Sequence, residues 1–454
     1  MASRALVGDP RARRDERLAA LGSLASGLPT GGPRTGETNN HIHTIYSFSP
    51  YTPSMAALRA AEAGLEAAGS VDHDSISASR EMTAACKLLG LASVTGCEVR
   101  ASFRTGLDGK RYSFADRKIN NPDSAGIVYM TIQGVSADAL GAVDSFLNPI
   151  RAARRARTAR MAAIASLRLR EVGIEGVDME RDIVAASKAD EGGGITERHL
   201  LAAVASRLVE AYGRGQALVS GLLRDFGISP PARLAALLAD PNNEHLVFDL
   251  LGVLKSGFLE SIYEQPGPAE CPDAAVVAAF ARSIDAIPAY AYLGDVGDSP
   301  TGDKRAEKFE DDFLEELLDA VKAAGFLAVT YMPPRNTRAQ LERVGRLCEE
   351  RSLMRISGVD INGPRQSFNC PELRLPEFAA LGDATWALAM HELLVSHDRG
   401  AGIFSPRGPL AGADLAARIA AYAAAGRSSL GVSSPARADP DRIIEELKKG
   451  RYTR

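Results

Sequence analysis

The sequence predicts an α/β fold: a parallel sheet with helices outside it, interrupted by an all-helical insertion. Three observations predict it. Short apolar runs rich in β-branched residues alternate with amphipathic stretches from residue 39 onward. Seven such runs can be counted, which favours a barrel over an open doubly wound sheet. The long interval 136–286 reads as almost continuous helix.

Taken in order, residues 1–38 form a polar, Gly/Pro-punctuated lead-in, read as one amphipathic helix and a loop. Strands are expected at 38–43, 67–72, 93–100, 126–135, 287–296, 326–332 and 353–361. The stretch from Pro53 starts a helix, because proline suits a first turn. Ser79 is read as the cap of the next helix and Gly90 as its end. Segments 311–325 and 336–350 are strongly amphipathic. The expected organisation is therefore an N-terminal extension (1–38), a first barrel half (39–135), a helical insertion (136–286), and a second half with C-terminal helices (287–454).

Composition narrows the function. Hydrophobic residues make up 45% of 454, enough for a sizeable core, and the net charge of −4 argues against a surface built for nucleic acid. No apolar run approaches the roughly 20 residues that span a bilayer. The first residues carry charge without a continuous apolar stretch, so no secretory signal is expected. Five scattered cysteines without CxxC spacing fit a reducing, cytoplasmic location.

The chemistry stands at strand ends. His41 and His43 lie two apart, so in a strand both imidazoles face one side and can converge on an ion. Asp72, His73 and Asp74 end the second strand, Glu98 lies near the end of the third, and Asp360 and Asn362 end the seventh. Strand ends converge on one face of a parallel barrel, where active sites sit. Asp74 also reads as a helix N-cap. The expected cofactor is a divalent metal, Mn, Zn or Fe. Arg117, Lys118, Lys304 and Arg335 lie on loops of the same face and are candidates for an anionic substrate. The Arg-rich helix 151–170 reads as a solvated face. His391 and His397, six apart, read as structural or surface residues.

The order H-x-H-x-x-x-S, D-H-D, G-x-E and a late aspartate after an apolar strand resembles that of the PHP (polymerase and histidinol phosphatase) superfamily of metal-dependent phosphoesterases. The resemblance covers most of 39–135 and 287–370. It implies a distorted (β/α)7 barrel and a cluster of up to three ions. His41, His43, Glu98 and Asp360 would hold the first ion, with a weaker second one at His73 together with Asp72, Asp74 or Asn362. Gln133, Met332 and Asn362 stand where the family has histidines, so the full cluster is reduced here. The stretch 192–205 is similar to the Gly-rich, Arg-His insertion of nucleotide-acting members. That implies Arg198 and His199 at the substrate, alongside Gln133, Asn362 and Arg335, with His73 or His199 moving a proton. The expected function is hydrolysis of a small phosphorylated or anionic metabolite. The alternatives are a nucleotide or oligonucleotide phosphoesterase, or a metal-binding regulatory protein whose catalysis has been lost. Neither a membrane nor, by preference, nucleic acid is an expected partner.

Overall fold

The computed structural model describes residues 2–25, 34–296, 308–431 and 438–452. Seven strands form one sheet in sequential order: β1 Thr38–Ile42, β2 Ala67–His73, β3 Ala92–Ser102, β4 Ile127–Gln133, β5 Ile287–Ala291, β6 Ala328–Tyr331 and β7 Met354–Ser357. Fifteen α-helices accompany them among the described residues. Before the long excursion come α1 Ala2–Gly8, α2 Arg14–Ala25, α3 Pro53–Glu62 and α4 Ser79–Leu88. Then follow α5 Leu140–Glu171, α6 Glu197–Tyr212, α7 Gln216–Phe226, α8 Ala232–Ala239, α9 Leu246–Gly257 and α10 Ala274–Ser283. The chain ends with α11 Leu314–Ala323, α12 Arg338–Glu350, α13 Ala379–His397, α14 Leu415–Leu430 and α15 Pro440–Lys448. No helix among the described residues is long and apolar enough to cross a membrane.

The expectation of an all-parallel sheet fails at β4, which runs antiparallel to both β3 and β5. The connection 103–126 contains no helix, so the chain turns straight back beside β3 instead of crossing over. The sheet curls, and the segment after β7 returns beside β1. Ile42 and Ile361 form a parallel bridge, with His43 N donating to Ile361 O at 2.9 Å and Ile361 N to His41 O at 3.0 Å. Gly358 permits this approach, because a Cβ there would lie 2.6 Å from His41 Cβ.

The concave side is filled from the starts of the strands. Ala67, Ala92, Val94, Ile287, Ala328 and Met354 join one apolar cluster with Ala384, Ala387 and Leu388 of α13. Thr38 Oγ1 meets Thr385 Oγ1 at 3.0 Å, and Thr95 N donates to Glu392 at 2.6 Å. α13 is apolar nearly all round, as a helix enclosed between the sheet and α14 should be. The strand ends are left free for chemistry.

Other expectations shift locally. The N-terminal lead-in forms two helices, and Arg17 of α2 is buried in a two-pronged ion pair with Glu81 of α4, at 2.8 and 2.6 Å. Ser79 is the first helical residue rather than the cap; its hydroxyl donates to Ile76 O at 2.8 Å. Gly90 follows the helix end with φ 68°. The start of α5 (Leu140, Val143, Leu147) and α10 belong to the outer core of the sheet. The insertion's own core gathers residues from Met161 to Ile262.

Candidate metal centre

Five ligand-type side chains meet at the strand ends. His41 and His43 leave β1 at its irregular end, His73 ends β2, and Glu98 is its register partner on β3. Asp360 comes from the segment bridged to β1. Two triads share His43: His41, His43 and Asp360, and His43, His73 and Glu98, each with its ligand atoms within 4.8 Å of one another. Glu98 Oε2 is the hub, 2.9 Å from His73 Nδ1, 3.8 Å from His43 Nε2 and 3.9 Å from His41 Nε2. His43 Nε2 lies 3.2 Å from Asp360 Oδ1.

Burial works against charge on His41, His43, Glu98 and Asp360. It lowers the His41 pKa, which Glu98 and Asp360 only partly offset. On His43, burial is outweighed by Asp360 and Glu98, and the pKa is raised. Glu98 and Asp360 stay below the ordinary carboxylate range despite burial, because His73 faces the first and His43 the second. Both carboxylates thus draw on the neighbouring imidazoles for charge balance. Three imidazoles and two carboxylates fit a divalent ion such as Zn, Mn or Fe, and such an ion can take over the balancing role of the imidazolium protons.

Asp72, expected as a ligand, is used differently. Its Oδ1 accepts from Thr44 N and Ser47 Oγ, both at 2.6 Å, and its Oδ2 from Thr44 Oγ1 at 2.7 Å. Ser47 Oγ in turn lies 3.2 Å from His43 Nδ1. With its own proton given to Asp72, Ser47 accepts from His43 Nδ1–H, and that hydrogen-bond network assigns the Nε2 lone pair to the cluster. Asp72 sits behind the ligands because Thr44 and Ser47 claim its oxygens. Asp74 is likewise diverted, pairing with Arg154 at 2.5 Å. Asn39 was not singled out by sequence; its amide bonds Val359 N, Val359 O and His41 N, fastening β1 to the Asp360 segment.

The insertion roofs the cluster. Gly194 N donates to Tyr46 O at 2.7 Å, and a Cβ on Gly194 would lie 2.4 Å from His73 O. Only a glycine lets the strap run this close. Arg198 Nη2 then donates to Asn362 O at 3.1 Å, while Asn362 Nδ2 donates to Asp360 Oδ1 at 2.8 Å. Burial lowers the Arg198 pKa, opposed by Asp360. Its guanidinium also lies 5.5 Å from the ring of Phe48, a bulky residue held at φ 75°.

His199 departs from its expected place. Its Nδ1 accepts from Thr196 N at 3.0 Å, closing a capping box at the start of α6, and its ring packs edge-on against Phe48. Burial, with Arg154 and Arg198 nearby, pushes its pKa down to about 3. In this arrangement Nδ1 serves the cap of α6. Gln133 is also corrected. Because β4 is reversed, its end points away from the site, and Gln133 lies opposite Gly96, two residues below Glu98, buried with Oε1 unpartnered. Tyr129, near the start of β4, occupies the mouth instead, 5.7 Å from the His73 ring. Met332 does reach the site: its sulfur lies 3.4 Å from Asp360 N.

Arg335 donates to Leu293 O at 3.1 Å, tying together the loops after β5 and β6. Arg117 pairs with Asp312 at 3.4 Å and covers Phe313, Lys118 lies in the 103–126 loop, and Lys304 falls outside the described residues. The solvated reading of helix 151–170 is overturned for Arg154 and Arg157, whose side chains are only 2% exposed. Its outer arginines are paired too, Arg155 with Glu180 and Arg160 with Glu264. His391 is structural, bonded to Asp285 O and Ile403 N, and His397 makes a surface pair with Asp441.

No family model matches this chain, and no curated protein matches it. Solved structures similar to it include the following two. One, from Bifidobacterium adolescentis, is named a "putative metal-dependent phosphoesterase"; it shares 20% identity and a TM-score of 0.47 over 74% of this chain and 92% of its own. The other, an amidohydrolase from Chromobacterium violaceum with bound sulfate and no metal, shares 18% identity and a TM-score of 0.46, over 73% and 90%.

Proposed function

We propose that this chain is a metal-dependent hydrolase that cleaves a phosphoester in a small anionic metabolite, on a sheet that acts as a distorted (β/α)7 barrel. The observation that carries the reading is the pairing of the five-donor cluster with Arg198. That guanidinium is half-buried, makes no ion pair among the described residues, and faces the side of Asp360. A half-buried guanidinium with no ion pair among the described residues, beside a metal-type cluster, is complemented by an anion. The PHP-like motif order supports a phosphoryl group as that anion.

His41, His43, His73, Glu98 and Asp360 would hold the metal. When bound, a divalent ion polarises a phosphoryl oxygen and lowers the pKa of its water to about 7. The chain's own residues do the rest. Arg198 orients the substrate anion by charge-assisted hydrogen bonds. Ser47 and Asp72 keep the His43 lone pair turned inward, and Asn362 steers Asp360. With His199 held in its cap, His73, at 22% the most exposed of the three cluster histidines, would be the one to move a proton when it is not bound to the ion.

The test is metal analysis of the purified protein followed by an aryl phosphate assay. Turnover that disappears on chelation and in Glu98→Gln is expected. A stoichiometric metal with no ester turnover would overturn the enzyme reading and leave a regulatory metal-binding role. Replacing the aryl phosphate by short oligonucleotides tests the nucleotide-directed alternative.

A further inference from the structure

Glu197, the first residue of α6, immediately precedes Arg198, and three arginines converge on its carboxylate. Arg100 Nη1 donates to it at 3.0 Å and Arg154 Nη2 at 2.8 Å, and Arg157 Nη2 donates as well. The same arginines reach further acids. Arg154 binds Asp74, Arg157 binds Glu270 at 2.6 and 2.9 Å, and Arg100 also donates to Glu270. Three guanidinium groups and three carboxylates thus form one charge-balanced buried lattice.

Its anchor points matter. Arg100 lies two residues beyond Glu98 on β3, on the same face of the strand. Asp74 directly follows His73. The lattice therefore begins on the two strands that bring Glu98 and His73 to the cluster, and it ends on the residue before Arg198. Glu197 is its most accessible member, with a side chain 15% exposed against 2–3% for the three arginines and Glu270. Arg198 gains nothing from helix electrostatics, because a cation in a first turn is disfavoured. Something else must hold it there.

We propose that Glu197 is a positioning residue: it locks the first turn of α6 to the metal-bearing strands and so sets the Arg198 guanidinium over Asp360. The proposal rests on the reading that Arg198 holds the substrate's anionic group. It makes the insertion part of the site's geometry rather than a separate cover.

The experiment titrates inorganic phosphate into the metal-loaded full chain by calorimetry, with metal content and melting temperature measured in parallel. Arg198→Ala should weaken phosphate by about tenfold or more. Glu197→Gln should weaken it by a similar factor at unchanged metal content, and the double variant should be no weaker than either single one. If Arg198→Ala weakens phosphate but Glu197→Gln does not, or if the two effects multiply, Glu197 is structural only and the proposal fails alone. If Arg198→Ala itself changes nothing, the underlying reading of Arg198 fails first and takes the proposal with it. Should Glu197→Gln not fold, Glu197→Asp keeps the charge and shortens the reach by one methylene. Weaker phosphate binding at an unchanged melting temperature supports positioning, and unaltered binding overturns it.

Discussion

The Nδ1 nitrogen of His43 lies 3.2 Å from the hydroxyl of Ser47, which hands its own proton to Asp72 at 2.6 Å. This relay fixes the ring before any ion arrives. Ser47→Ala and Asp72→Asn should each lower metal affinity by about 10–100-fold without abolishing binding. Competition with a chromophoric chelator reads this directly. Complete loss of metal in Asp72→Asn, matching His43→Ala, would instead make Asp72 a ligand.

Gln133 gives the opposite expectation. It lies two residues below Glu98 along the sheet, with an unpartnered Oε1. Gln133→Leu should leave metal stoichiometry unchanged and cost little stability, because it removes a polar atom that lacks a partner. Elemental analysis and a melting curve decide; a lost ion would return Gln133 to the ligand set.

The strap at Gly194 is predicted to be intolerant of a side chain. A Cβ 2.4 Å from His73 O would have to push backbone against backbone. Gly194→Ala should destabilise by about 1–3 kcal/mol and weaken metal binding together, since the displaced atom belongs to a ligand residue. Denaturant melts with and without metal separate the two effects.

Arg17 and Glu81, each with a side chain only 1% exposed, join the N-terminal helices to α4. Arg17→Met leaves Glu81 buried without its partner and should cost about 3–5 kcal/mol, measured by urea unfolding. A cost near zero would show that α2 docks only loosely.

Glu310 supplies a pH dependence. Burial pushes its carboxyl up to about 8, although Leu293 N and Tyr290 Oη both donate to it. In the unfolded chain it ionises near about 4.3. Between those values the folded chain still holds a proton that the unfolded chain has lost, so stability is greatest below the window and declines as pH rises through about 8. Glu310→Gln should flatten the melting profile from about pH 5 to 8, with its largest gain at the alkaline end.

The convergence of the candidate site is legible because ligand-type residues cluster at strand ends in short words: HIH, DH, GCE and VDIN. Those words could not say which neighbour ligates. Asp72 and His73 are adjacent, but in a strand they face opposite sides, and only Thr44 and Ser47 decide what Asp72 does. The direction of β4 was hidden because an apolar run reads the same both ways, and with it went the place of Gln133. The arginines at 154 and 157 looked solvated because their partners, Asp74, Glu197 and Glu270, are remote in sequence. Periodicity describes one helix and is silent about what a distant loop brings to it.

The packing of α13 against the starts of the strands also orders events in time. During synthesis, β1, β2 and β3 emerge with their concave faces bare, and the helix that fills them is made only after β7. Until then the nascent chain carries His41, His43 and Glu98 on an unfilled sheet whose apolar floor is open to wrong partners. Capture of the proposed ion at this stage would join strands that nothing else yet holds, so metal supply should raise the yield of folded protein.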